Sequence, residues 1–70
     1  MQILREPSVR QLTGLSRSTR WRLQRIGAFP KPIRLSPGAI GYDLAEVEQW
    51  LEERRQARDS AAAHAGNKAA

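Results

Sequence analysis

The sequence contains no cysteine and only one histidine among its 70 residues. Without cysteine, neither a disulfide framework nor a cysteine-based zinc site can stabilise the fold. No apolar run approaches the roughly 18 residues of a membrane span, and the N-terminus lacks the apolar stretch of a signal peptide. We therefore expect a cytoplasmic protein that does not associate with membranes.

The features of an enzyme are also missing. A chain of this length buries only about 60% of the surface that its unfolded form exposes, so it forms one domain without a deep pocket. The single histidine, His64, lies in an alanine-rich tail with no helix-spaced partner. There is no glycine-rich phosphate loop and no metal-ligand spacing. We predict a protein that is not an enzyme and that needs no cofactor or metal.

Acidic residues are nearly absent from the first half of the chain. Residues 1–35 carry eight Lys or Arg and one Glu, whereas residues 36–70 carry four basic and six acidic residues. The net charges are therefore +7 and −2. Such asymmetry is typical of a protein that binds a polyanion, most often nucleic acid. Surface charge for solubility explains the arginine count, but not the segregation of the acids.

Turn and cap residues predict two short helices at the start. Pro7 suits the first turn of a helix, and Gly14 suits the left-handed position that follows its end. Ser16 is a good N-cap for a second helix over residues 17–26. Two short helices joined by a tight turn containing glycine form a helix-turn-helix.

The remaining elements are a predicted hairpin and a longer helix. Apolar residues alternate with others on both sides of a turn at residues 36–38, which predicts a β-hairpin, or wing. Asp43 and Glu46 have capping-box spacing at the start of a third helix. We expect a DNA-binding domain over residues 1–58 and a flexible tail over residues 59–70.

The phase of the second helix indicates which side faces outward. At about 100° per residue, Thr19, Leu23 and Ile26 form the apolar stripe that should face the core. Trp21 falls almost opposite, beside Arg17, and arginines at 20 and 22 flank that side. An outward surface rich in arginine suits the DNA major groove.

Position along this helix predicts a role for each outward residue. Residues near the N-terminus of a recognition helix usually reach the bases, and later ones contact phosphates. For the bases we favour Arg17, Ser18 and either Arg20 or Trp21. For the phosphates we favour Arg22 and Arg25.

Each of these residues also has a simpler interpretation. Trp21 could pack under the hairpin or against the third helix, and any single arginine could be a solvated surface residue. Lys31, Arg34 and the turn at 36–38 could touch an adjacent minor groove or the DNA backbone. A plain solvated turn is equally compatible with the sequence.

Three segments in this order, VRQLTGLSRSTRWRL, GAFPKPIRL and AIGYDLAEVEQWLEER, resemble the AlpA-like family of small prophage regulators. This family belongs to the MerR-like winged-helix group, which includes excisionases, and the resemblance covers residues 4–54. It implies a mainly α fold with a small β-hairpin, that is, a winged helix-turn-helix. Ser16 to Thr19 and Arg22 match the family's recognition-helix motif. Trp21 stands at an aromatic position, and Arg20 replaces an aliphatic residue found in many members, which implies one more cation facing DNA.

The resemblance implies a sequence-specific regulator that binds double-stranded DNA. Family members activate or repress prophage and mobile-element genes, or steer excision by an integrase. RNA polymerase or an integrase are therefore the expected protein partners. One small winged helix covers few base pairs, so we expect a homodimer or side-by-side copies on DNA. The alternatives are an excisionase that bends attachment-site DNA and, in another class, a protein-interaction module without DNA.

Overall fold

Three helices surround a small antiparallel sheet in the computed structural model, which describes the backbone of residues 1–69 and the side chains of residues 1–60. The predicted mainly α fold, with a helix-turn-helix followed by a hairpin, is confirmed. The predicted flexible tail over 59–70 lies almost entirely outside the described side chains and stays a prediction. The elements in chain order are β1 (Ile3–Leu4), α1 (Glu6–Thr13), α2 (Arg17–Arg25), β2 (Ile33–Ser36), β3 (Ala39–Asp43) and α3 (Leu44–Ala69).

The turn between α1 and α2 has the predicted chemistry. Gly14 adopts the left-handed conformation with φ 72°, and its N–H donates to the Arg10 carbonyl at 2.8 Å. Side chains other than glycine rarely adopt this conformation, so Gly14 ends α1 at little cost. Ser16 then caps α2, because its Oγ accepts a hydrogen bond from the Thr19 N–H at 3.3 Å.

The sheet contains a strand that the sequence does not predict. Its order is β1-β3-β2, with both pairings antiparallel and β3 in the centre. Leu4 lies opposite Tyr42, and Ile33 lies opposite Gly41. A Cβ at Gly41 would collide with the Ile3 side chain. Glycine at this position therefore allows β1 to close onto β3.

The hydrophobic core draws on almost every element. Around it pack the partly buried Leu15, Leu23, Leu44, Trp50 and Leu51. The Phe29 ring meets Tyr42 and Trp50 edge-on, with ring centroids 5.8 and 4.8 Å apart, an arrangement that aromatic pairs prefer. The buried residues of the core are Leu4, Val9, Phe29, Tyr42 and Val47.

Helix α3 is fixed at its start and along its inner face. The Asp43 carboxylate accepts from the Ala45 N–H at 3.0 Å, and the Leu44 N–H donates to the Gln2 carbonyl at 2.9 Å. Further along, the Trp50 indole Nε1 donates to the Ala28 carbonyl at 2.6 Å. In the described part of the chain, no helix is both long and apolar enough to cross a membrane.

Replacing Trp50 should show how much this packing contributes to stability. Trp50→Ala removes the edge contact with Phe29 and leaves the Ala28 carbonyl without its donor. We expect the free energy of unfolding to fall by about 2–4 kcal/mol, measured by urea denaturation. Trp50→Phe keeps a ring but not the hydrogen bond, so its loss should be nearer 1 kcal/mol. An unchanged urea midpoint for Trp50→Ala would show that the residue lies outside the core.

Candidate nucleic-acid interface

The exposed side of α2 carries a tryptophan among arginines, as predicted. Arg17, Ser18, Trp21 and Arg22 line one shallow depression on this side. Trp21 is 56% exposed and stands outside the core cluster. Its outward position is therefore confirmed, and the alternative of packing under the hairpin or against α3 is not what the structure shows.

The Trp21 ring is paired with a cation on the same face. The Arg25 guanidinium carbon lies 4.9 Å from the ring centroid, within the range of a cation–π contact. The two residues are four positions apart, so they are neighbours on the helix surface. The indole and the guanidinium therefore present one combined aromatic and cationic surface.

Ser16 and Thr19, two of the predicted contact residues, hydrogen-bond to each other at the start of α2 and do not project outward. Ser16 and Thr19 are both half-buried, and their hydroxyl oxygens lie 3.0 Å apart in a mutual hydrogen bond. The Arg22 guanidinium donates to the Thr19 hydroxyl at 3.4 Å. This pair of hydroxyls fixes the start of the helix and orients Arg22 on its outer side.

The expectation that Arg20 faces outward is wrong. Arg20 is only 1% exposed. Its guanidinium donates to the Glu6 carboxylate and, at 2.9 Å, to the Leu15 carbonyl, and it lies 5.7 Å from the centroid of the Tyr42 ring. A long aliphatic stem allows arginine to occupy an interior position when an acid is within reach of its terminal nitrogens.

A second polar residue joins Arg20 on the inner face of α2. Gln24, one turn later, donates from its amide to the Tyr42 hydroxyl at 2.6 Å. At about 100° per residue, the buried arc runs from Thr19 through Leu23 and Arg20 to Gln24. Its centre is rotated by about 60° from the apolar stripe that the sequence suggests.

The same rotation removes Ile26 from the core. Ile26 was expected to face inward, but it is 76% exposed. Helix α2 ends at Arg25, and Gly27 turns the chain with φ 72°. Phe29, which follows this turn, is buried and fills the core instead.

The hairpin residues do not join the depression on α2. Lys31 and Arg34 are exposed, and neither lines it. The hairpin turn instead meets the start of α2 at a separate cleft of about 200 Å³. Arg5 also lines this cleft, although no pattern in the sequence marks it as a contact residue. The full lining consists of Arg5, Glu6, Pro7, Arg17, Gly38, Ala39, Ile40 and Tyr42.

The two side chains whose pKa values are shifted both lie on α3, outside this surface. The Glu52 carboxylate accepts two hydrogen bonds from Arg55, at 2.7 and 3.2 Å. This contact lowers the pKa of Glu52 and raises the pKa of Arg55. The Arg55 and Glu52 side chains are 59% and 41% exposed, so solvent screens the pair and it adds little to stability.

Comparison with known proteins agrees with the resemblance noted in the sequence. The family model described as prophage CP4-57 regulatory protein (AlpA) matches residues 2–55. The chain is 37% identical over 60 residues to the protein named DNA-binding transcriptional activator AlpA of Escherichia coli (strain K12), covering 77% of this chain and 86% of that protein.

A phage protein is also similar to this chain. It is named uncharacterized protein ORF88 of Enterobacteria phage P4 and is 40% identical over 53 residues. The match covers 76% of this chain but only 60% of the phage protein. The chain therefore spans about three fifths of the length of this relative.

Substitutions of Arg20 should affect stability through its burial. Arg20→Ala opens a cavity and removes the donors to Glu6 and Leu15, so we expect the free energy of unfolding to fall by about 2–4 kcal/mol. Arg20→Leu restores apolar volume, and the half-exposed Glu6 can return to water. Its stability should lie within about 1 kcal/mol of the original. Urea denaturation of both variants checks this, and an Arg20→Ala variant as stable as the parent would contradict it.

Proposed function

The chain belongs to the AlpA family of prophage regulatory proteins, and from this premise we propose that it regulates transcription by binding double-stranded DNA through α2. The AlpA family is a family of regulators rather than of enzymes. Two observations support DNA binding: the family to which the chain belongs and the exposed arginines and tryptophan on α2.

One observation about charge carries the proposal. Of the eight basic residues in positions 1–35, Arg20 is buried and paired with Glu6, the single acid of that half. Within the described side chains, no carboxylate pairs with any of the others. The resulting surface is suited to a polyanion such as duplex DNA. The exposed cations are Arg5, Arg10, Arg17, Arg22, Arg25, Lys31 and Arg34.

The phase of α2 supports a specific division of roles. Its exposed arc is centred near Ser18 and Arg25, with Trp21 and Arg22 on either side and Arg17 at one edge. We propose that Ser18 and Arg22, which both lie on this exposed arc, face the base edges. Arginine can donate to both acceptors of guanine in the major groove. Relative to the sequence expectation, Arg17 and Arg22 exchange roles.

The other basic residues of α2 and those of the hairpin would serve the sugar-phosphate backbone. Arg25 and the Trp21 ring stacked on it fit a phosphate and its neighbouring sugar. Lys31 and Arg34 would reach the flanking backbone or minor groove from the hairpin. Because one α2 covers few base pairs, we propose that two or more copies bind together. An interaction with RNA polymerase would complete regulation of a promoter.

The two alternatives make different predictions on DNA. An excision factor would bend its site and act beside an integrase, which a circular-permutation gel assay on the bound fragment detects. A protein-interaction module would show no salt-sensitive binding to duplex DNA. No feature of the described chain favours either alternative over transcriptional regulation.

Alanine variants of Arg22 and Arg25 should separate base recognition from backbone contact. We expect Arg22→Ala to reduce discrimination between the target and point-mutated sites by about 1–3 kcal/mol. Arg25→Ala should weaken binding to all sequences alike and reduce the log–log salt slope by about one. Fluorescence anisotropy over a salt series on target and scrambled duplexes measures both effects.

Arg54→Ala is the matched control, since it removes one exposed arginine from α3. It should leave both discrimination and salt slope close to those of the parent. Equal, sequence-independent losses for Arg22→Ala and Arg25→Ala would overturn the division of roles. A parent protein with no salt-dependent affinity for any duplex would overturn DNA binding itself.

A further inference from the structure

We propose that the cleft between Arg5, Arg17 and the hairpin turn holds one phosphate of the DNA backbone. This inference rests on the proposed function and adds a contact that lies outside α2 and outside the extended part of the wing. The added contact is Arg5, which strand β1 places next to the depression on α2.

The cleft adjoins the depression on α2. Arg17 lines both the depression on α2 and the cleft, so the two sites share one side chain. Arg5 and the hairpin residues Gly38 and Ile40 also line the cleft. A duplex that lies along α2 would therefore bring its backbone across Arg17 to this cleft.

The charges at the cleft select an anion. Arg5 and Arg17 are both exposed, and neither forms an ion pair with a carboxylate among residues 1–60. Glu6 also lines the cleft, but its carboxylate is engaged by the buried Arg20. Two guanidinium groups around one cleft repel each other, and an anion between them reverses this effect.

The size of the cleft selects a small anionic group. Its volume is about 200 Å³. This lies below the roughly 300–1,000 Å³ of pockets that enclose a small-molecule ligand. A phosphodiester of a polymer needs no enclosure, because it enters as one group of a longer backbone. Guanidinium groups match phosphate oxygens in charge and in geometry, often with two parallel hydrogen bonds.

The backbone at Arg5 is held from both sides. Leu4 pairs with Tyr42 in the sheet, and the Arg5 carbonyl accepts the Val9 N–H at 3.0 Å. Binding a phosphate would therefore order only the side chain of Arg5 and not its loop, which limits the entropy cost. Phosphate contacts of this kind fix the register of a protein on the duplex. Arg5 is accordingly a positioning contact for α2.

The test compares Arg5→Ala with Arg10→Ala in the full chain. Both remove one exposed arginine near α1, but Arg10 does not line the cleft. We expect Arg5→Ala to reduce the log–log salt slope of DNA binding by about 0.9, on specific and scrambled duplexes alike. The ratio of parent to variant affinity should therefore shrink about 3.5-fold between 50 and 200 mM salt. Arg10→Ala should change the slope much less.

A second measurement locates the phosphate. In a duplex series with one neutral methylphosphonate at each backbone position, one position should weaken DNA binding by the parent protein much more than binding by Arg5→Ala. Replacement of Arg17 should also reduce the sensitivity at the same position. Thermal unfolding of each variant checks that the fold is intact.

The outcomes separate this inference from the proposed function. If the parent binds DNA with a steep salt slope but Arg5→Ala behaves like Arg10→Ala, the cleft does not bind phosphate and the function stands. The inference is also overturned if Arg5→Ala is as sensitive as the parent to the methylphosphonate at every position. If the parent shows no salt-dependent binding to duplex DNA, the proposed function itself fails.

Discussion

The burial of one cation, Arg20, determines how the two short helices meet. A charged side chain in the protein interior requires compensation from fixed partners. Glu6 of α1, the Leu15 carbonyl of the turn and the Tyr42 ring of β3 provide it. These contacts join three elements through one side chain on α2. The orientation of the helix therefore follows from the position of its charge as well as from its apolar residues.

The same pairing shapes the electrostatics of the surface. Glu6 is the single acid among residues 1–35, and its engagement by Arg20 removes one charge of each sign from the exterior field. What remains outside in this half is exclusively positive. A surface acid near the start of α2 would weaken attraction for a polyanion within a Debye length of about 10 Å. An ion pair that organises the fold thus also keeps the contact surface cationic.

Local signals in the sequence predicted the elements that local chemistry controls. Gly14, the Ser16 cap and the turn at residues 36–38 all act within a few residues, and the structure agrees with each. The errors lie where distant residues decide. Strand β1 has two residues, too few for any alternation, and it depends on the missing side chain of Gly41. Arg20 is buried because of an acid that stands 14 positions earlier.

Hydrophobic periodicity has a particular weakness when a long polar side chain lies inside. It assigns every arginine and glutamine to the outer face, so the predicted phase of α2 shifts toward its remaining apolar residues. Here Arg20 and Gln24 occupy the inner arc because both reach Tyr42. The phase shift brings Ser18 to the centre of the outer face and moves Trp21 to its flank. The indole stacks on Arg25, and the proposed division of roles therefore assigns both side chains to the DNA backbone.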